Sequence, residues 1–136
     1  MKKAYCPYCE SFVEPYAETV EQTLPVRGEN ITVSATVEHC PVCKNALVCE
    51  EHDADTLERA YDVYRQRHGL LTPQEIRGIR ERYGLSQRSL ARLLGWGDIT
   101  VHRYESGAIQ DAAHDSLLRL IRDPSNLLAL LDYAAD

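Results

Sequence analysis

Two near-identical frames, Cys6-Pro7-Tyr8-Cys9 and Cys40-Pro41-Val42-Cys43, hold four of the five cysteines of this 136-residue chain, and Cys49 is left over. Zinc takes four thiolates in a tetrahedron, and two residues between paired cysteines form a tight turn whose backbone N–H groups point at the sulfurs. The proline after each first cysteine pre-sets that turn by fixing its own φ. The spacing therefore predicts one structural Zn²⁺ per chain on Cys6, Cys9, Cys40 and Cys43, with no open position for a substrate. His39 and His52 read as ordinary surface residues, either able to replace a cysteine ligand, and Cys49 as a spare thiol.

Redox chemistry competes for the first frame, because Cys-Pro-Tyr-Cys is also the active-site string of glutaredoxins, where the first thiolate attacks a disulfide. That enzyme needs a strand followed by the motif opening a helix. Here Glu10 to Tyr16 contains Pro15 and runs into strand-like sequence, and Cys40-Pro41-Val42-Cys43 has no redox role to play. Disulfide pairing in a secreted chain is disfavoured as well: no apolar run follows Lys2 and Lys3, so the chain reads as cytoplasmic, where thiols stay reduced.

A second constellation lies between Gly84 and Gly107. Ser86 is placed as the N-cap of one short helix, Ala91 as the small residue at a close helix crossing, Gly95 as the turn, Val101 and Tyr104 as core, and Gly107 as the end of a second helix. The string resembles the Xre/Cro-repressor type of helix-turn-helix, whose second helix enters the major groove by its N-terminal end. Removing the core positions leaves Asp98, Ile99, Thr100, His102 and Arg103 outward. Arg103 suits a bidentate guanine contact, Thr100 and His102 a phosphate or base edge, and Ile99 a thymine methyl. Asp98 suits a helix cap or an acceptor for a cytosine amino group. Gln87 matches a common phosphate-anchoring position of that fold family.

Positioning these residues takes strands in the first half and helices in the second. Tyr16–Leu24 and Asn30–Glu38 are rich in Thr and Val with near-alternating polarity, which predicts two strands; Pro25 to Glu29 between them supplies a turn. The resulting hairpin brings Cys40 back toward Cys9. A further short pair is expected from Phe12-Val13 with Ala46-Leu47-Val48. A connecting helix from Asp53 to about Arg67 shows Leu57, Tyr61 and Tyr64 on one face and ends at His68-Gly69. Thr72-Pro73-Gln74-Glu75 is a capping box that opens a new domain.

Helices are then expected at about 73–83, 86–94, 98–106, 112–122 (with Leu117, Leu120 and Ile121 inward) and 124–134, opened by Asp123-Pro124. Leu127, Leu128, Leu130 and Leu131 make that last helix more apolar than a lone terminal helix should expose, so its face is either core or a dimer contact. The fold class is α+β: a small zinc-bound β-hairpin module with four cysteine ligands and its connecting helix over 1–67, and an all-α helix-turn-helix domain over 72–136.

Charge divides the same way. Residues 1–60 carry five basic and eleven acidic side chains, net −6, whereas residues 72–122 carry eight arginines and six acids, net +2. The first half is thus unsuited to nucleic acid, and the second, with arginine as its only cation, suits phosphate and guanine. No apolar stretch approaches the roughly 18 residues of a membrane span.

Cys-Pro-x-Cys, a strand hairpin, Cys-Pro-x-Cys, a connecting helix and an Xre-type domain together resemble the MqsA (YgiT-type) antitoxins over nearly the whole chain. The resemblance implies a non-enzymatic regulator whose zinc module binds and neutralises a toxin, often an mRNA-cleaving ribonuclease. It also implies a C-terminal domain that dimerises and represses its own operon through double-stranded operator DNA. By position Cys6, Cys9, Cys40 and Cys43 match the family's zinc ligands and Arg103 a DNA-reading arginine, while Ile99 stands where the family has a DNA-reading asparagine, so a different operator is expected. Acidity over 1–60 would suit a basic toxin. A stand-alone or phage-type regulator without a toxin is the alternative.

Overall fold

The structure, a computed structural model, describes residues 2–135; positions 1 and 136, the outer ends of the two expected domains, lie outside the described residues. The chain forms two compact units, Met1–Tyr64 and Arg65–Asp136.

In the first unit, β1 (Ala4–Cys6) pairs antiparallel with β2 (Ser11–Val13), and β3 (Tyr16–Val26), β4 (Glu29–His39) and β5 (Ala46–Leu47) form an antiparallel sheet in that order. The β3–β4 hairpin is longer and tighter than expected. Its register runs from Tyr16 opposite His39 to Val26 opposite Glu29, so the turn shrinks to Arg27-Gly28, both with positive φ, at 47° and 82°. That is the backbone of a type I′ turn, which matches the twist of the flanking strands. Pro25 is inside β3, not in the turn. In a two-residue hairpin the closing pair exchanges both hydrogen bonds and the next pair none, so Pro25, opposite Asn30 on an edge strand, needs no N–H. Along β4, Ile31, Val33 and Ala35 are buried while Thr32 and Ser34 between them are exposed.

The expected pairing of Phe12-Val13 with Ala46-Leu47 is not formed. Each cysteine frame reverses the chain, so its own flanks pair: Cys6 sits opposite Ser11, and His39 opposite Ala46. Helix α1 (Glu50–His68) starts three residues earlier than expected, with Glu50, Glu51 and Asp53 in the first turn, where acids favour the helix dipole. Gly69, at φ 64°, ends it. Its buried positions in this unit are Thr56 and Ala60, whereas Leu57 is exposed.

The second unit holds the remaining helices: α2 (Pro73–Arg82), α3 (Gln87–Leu93), α4 (Thr100–Glu105), α5 (Ala112–Leu120) and α6 (Pro124–Ala135). Thr72 and Glu75 form the reciprocal capping box, each bond 3.1 Å, and Ser86 and Asp111 cap α3 and α5. Leu71, Ile76, Ile79, Leu90, Ala91, Val101, Leu118, Ile121 and Leu127 make one core.

Helix α5 is turned relative to expectation, with Leu118 and Ile121 buried and Leu120 exposed. The buried Asp115 explains the rotation. Its carboxylate accepts from the Leu71 N–H at 2.9 Å, the Gln110 amide at 3.1 Å and Arg119 at 2.8 Å, and only one face of α5 can satisfy it. Burial opposes the charge on Asp115, but these donors outweigh it and hold the carboxyl below its ordinary range. No helix among the described residues is long and apolar enough to cross a membrane.

Candidate functional site: a four-cysteine cluster and an outward-facing short helix

Two matching turns build the cysteine cluster. After Cys9 comes Glu10 with φ 51°, and after Cys43 comes Lys44 with φ 65°, so both frames close through the left-handed region at the same place. In the first, the Cys9 N–H points at the Cys6 sulfur, 3.4 Å away; in the second, Cys40 and Lys44 close the loop, N–H of Lys44 to C=O of Cys40 at 2.9 Å. The β3–β4 hairpin then carries one turn back to the other.

The four sulfurs lie within 4.8 Å of one another, with Cys6 and Cys43 3.6 Å apart and Cys9 and Cys40 3.9 Å apart. A bonded pair would be about 2.05 Å apart, so all four are free thiols. A tetrahedron with Zn–S bonds of about 2.3 Å has S···S edges of about 3.8 Å. The cluster can therefore hold a metal ion of zinc's size. Cys6 and Cys40 are fully buried, and the Cys6 frame leads into β2 and not into a helix, which removes the setting a glutaredoxin-type thiol requires. The Asn45 backbone N–H, above all, draws the Cys43 thiol down to about 6. Cys9 is pushed up to about 12, first by its hydrogen bond to Cys43 and then by burial. Four sulfurs this close cannot all ionise without a cation among them.

In the second unit, α3 and α4 are joined through Leu94–Ile99, with Gly95 at φ 77° and the Trp96 N–H bonded to the Ala91 carbonyl at 2.8 Å. Trp96 stacks on His114 at 4.0 Å, and the Tyr104 hydroxyl meets the same imidazole at 2.6 Å, which fixes the connection against α5. Val101 and Glu105 are buried; Ile99, His102 and Arg103 are exposed, and Thr100 is half-buried. Gln87 is half-buried at the start of α3, and its amide oxygen lies 3.3 Å from the His102 ring.

A family model described as the antitoxin component of a bacterial toxin-antitoxin system, MqsA, matches residues 1–131. The chain belongs to the MqsA antitoxin family. A search of curated proteins found none that matches.

Two features of this antitoxin were not visible in its sequence. Asp98 does not cap α4: the residue at the cap position is Ile99, which makes no side-chain cap bond. The Asp98 carboxylate instead takes both arms of Arg92, at 3.0 and 3.1 Å, with Arg88 at 3.8 Å. The Arg92 hydrogen bonds hold that carboxyl below its ordinary range.

The second feature is Glu105, whose side chain is 1% exposed. It accepts from Arg80 at 2.8 and 2.9 Å, from Arg77 at 3.2 Å and from Gln87 at 3.2 Å, so one carboxylate ties α2, α3 and α4 together. Burial opposes its charge, and the arginine and glutamine donors overcome that, leaving the carboxyl below its ordinary range. An acid inside a short helix beside Tyr104 carries no periodic signal that would mark it as buried.

Proposed function

We propose that this antitoxin family member is a cytoplasmic regulator built from two parts, residues 1–67 and 72–136. The first folds around one structural Zn²⁺ held by Cys6, Cys9, Cys40 and Cys43, and binds a toxin. The second is an Xre/Cro-type helix-turn-helix domain that docks on double-stranded operator DNA and represses the operon encoding the pair. The protein acts by binding and not by catalysis.

The observation that carries the DNA reading is the row formed by Ile99 at the cap of α4 and by Thr100, His102 and Arg103 along it, exposed except for the half-buried Thr100 and held by the Glu105 brace. With α4 in the major groove, Arg103 offers its planar fork to guanine O6 and N7, and Ile99 offers a methyl surface to thymine. Thr100 and His102 reach phosphate or base edges, and Gln87, already bonded to His102, anchors a backbone phosphate. Asp98, neutralised by Arg92 and Arg88, no longer repels phosphate and positions two arginines along the same edge.

Two copies are needed to read a two-fold operator, and the exposed Leu128 and Leu131 of α6 supply an apolar surface for that pairing. The net charge of −6 over residues 1–60 suits a basic toxin.

Fluorescence anisotropy with a labelled duplex from the gene's own promoter tests the assignment. Arg103→Ala should weaken specific binding by roughly 1–3 kcal/mol and relax the base preference at one position. Unchanged affinity and footprint would remove α4 as the reading helix.

A further inference from the structure

Three ligand-type side chains outside the four-cysteine cluster also converge in the first unit. The carboxylate of Glu38, the thiol of Cys49 and an imidazole nitrogen of His52 lie within 4.8 Å of one another, each half-buried. We propose that they form a second metal site for one Zn²⁺ ion, with water in the fourth position.

The fold gathers these ligands from three places. Glu38 lies near the end of β4, opposite Leu47 of β5. Beyond β5 the chain passes through the exposed Val48 to Cys49, whose carbonyl accepts from the Asp53 N–H at 3.1 Å and so begins α1. His52 follows in the first turn, and a spacing of three residues puts it on the same side of the helix as Cys49. The hydroxyl of Thr56 bonds the His52 carbonyl at 2.8 Å and fixes that turn.

The spacing of two of the ligand atoms fits a shared ion. His52 Nε2 and Glu38 Oε1 stand 3.4 Å apart, whereas a charge-assisted N–H···O bond closes to about 2.7–2.9 Å. A tetrahedral zinc with N and O ligands at about 2.1 Å has an N···O edge of about 3.4 Å. The pair is thus spaced for an ion bound to both atoms. The thiol supplies the soft donor that neither member of an ordinary His–Glu pair needs.

The donor set selects the metal. One thiolate, one imidazole and one carboxylate suit zinc and its borderline neighbours, whereas Mg²⁺ and Ca²⁺ demand oxygen ligands throughout. Three protein ligands leave a position open, unlike the closed four-cysteine cluster. The surrounding acidity of residues 1–60 draws cations to the site. Binding would fasten the first turn of α1 to the β4–β5 ribbon, so occupancy sets how firmly the helix start is held to the sheet. With one thiolate against four, this ion leaves first under a chelator.

Native mass spectrometry of the full chain during Zn²⁺ titration tests the site, alongside Cys49→Ser, Glu38→Gln and His52→Ala. The expected result is two ions on the parent and one on each variant, the second lost at a chelator concentration at least tenfold below that needed for the first. A parent that takes one ion while Cys49→Ser takes none also supports this site, and places the failure in the four-cysteine cluster. A parent and Cys49→Ser that both stop at one ion, or variants that still take two, overturn it. Far-ultraviolet circular dichroism of each variant, unchanged from the parent, shows that the lost ion is not lost folding.

Discussion

Glu105 shows how much one side chain can decide. Three donors from α2 and one from α3 converge on a carboxylate that is almost wholly buried, which is tolerable because both oxygens accept hydrogen bonds and two of the donor side chains are cationic. Its folded carboxyl titrates below the ordinary range, so its contribution to stability is complete above the unfolded value and is lost as pH falls toward the folded one. Glu105→Gln should therefore destabilise the helical unit at neutral pH by about 3 kcal/mol. The difference from the parent should shrink as the solution is acidified through the carboxylate range. Urea unfolding followed by Trp96, the chain's single tryptophan, reads this directly. A gap that stays constant with pH would show that shape, not charge, is what Glu105 supplies.

At the level of elements, the sequence was informative where a local rule left one solution. Cys-Pro-x-Cys twice, Thr72-Pro73-Gln74-Glu75, and alternating Thr and Val around Arg27-Gly28 each dictate their own backbone, and each turn, cap or strand is present. It was uninformative where apolar residues crowd, as in Leu117-Leu118-Arg119-Leu120-Ile121, because several helix faces read as inward and the deciding residue is the polar Asp115. The partners of β2 and β5, which are β1 and β4, are hidden in the sequence for the opposite reason, since strands of two or three residues carry almost no pattern. The paired turns offer a test. Glu10 holds a left-handed backbone that costs an L-residue about 1–2 kcal/mol and glycine almost nothing. After the extra unfolded-state entropy of glycine, Glu10→Gly should stabilise the metal-loaded first unit by about 0.5–1 kcal/mol. Chemical denaturation should show the midpoint rising; a fall would mean that the Glu10 side chain contributes more than its backbone costs.

For the whole molecule, division into two units predicts separable failure. In the first unit the buried cluster around the cysteines holds Cys6, Val13, Cys40 and Leu47, whereas the second has nine buried core residues of its own. Cys43→Ser should abolish amide-exchange protection in β1–β5 while leaving that of α2 to α5 intact. Native protection across the β3–β4 hairpin in this variant would show that metal binding does not hold the unit together. Joint loss in both units would show that they fold as one.

The long β3 strand carries a further consequence. It is paired on one side only, and its eleven residues leave a row of open N–H and C=O groups. Such a row is a template on which other chains can stack into fibrils. Glu18, Glu21 and Pro25 interrupt it, two by charge repulsion between copies and one by its missing donor. They act as gatekeepers, keeping the free protein from stacking whatever else it binds.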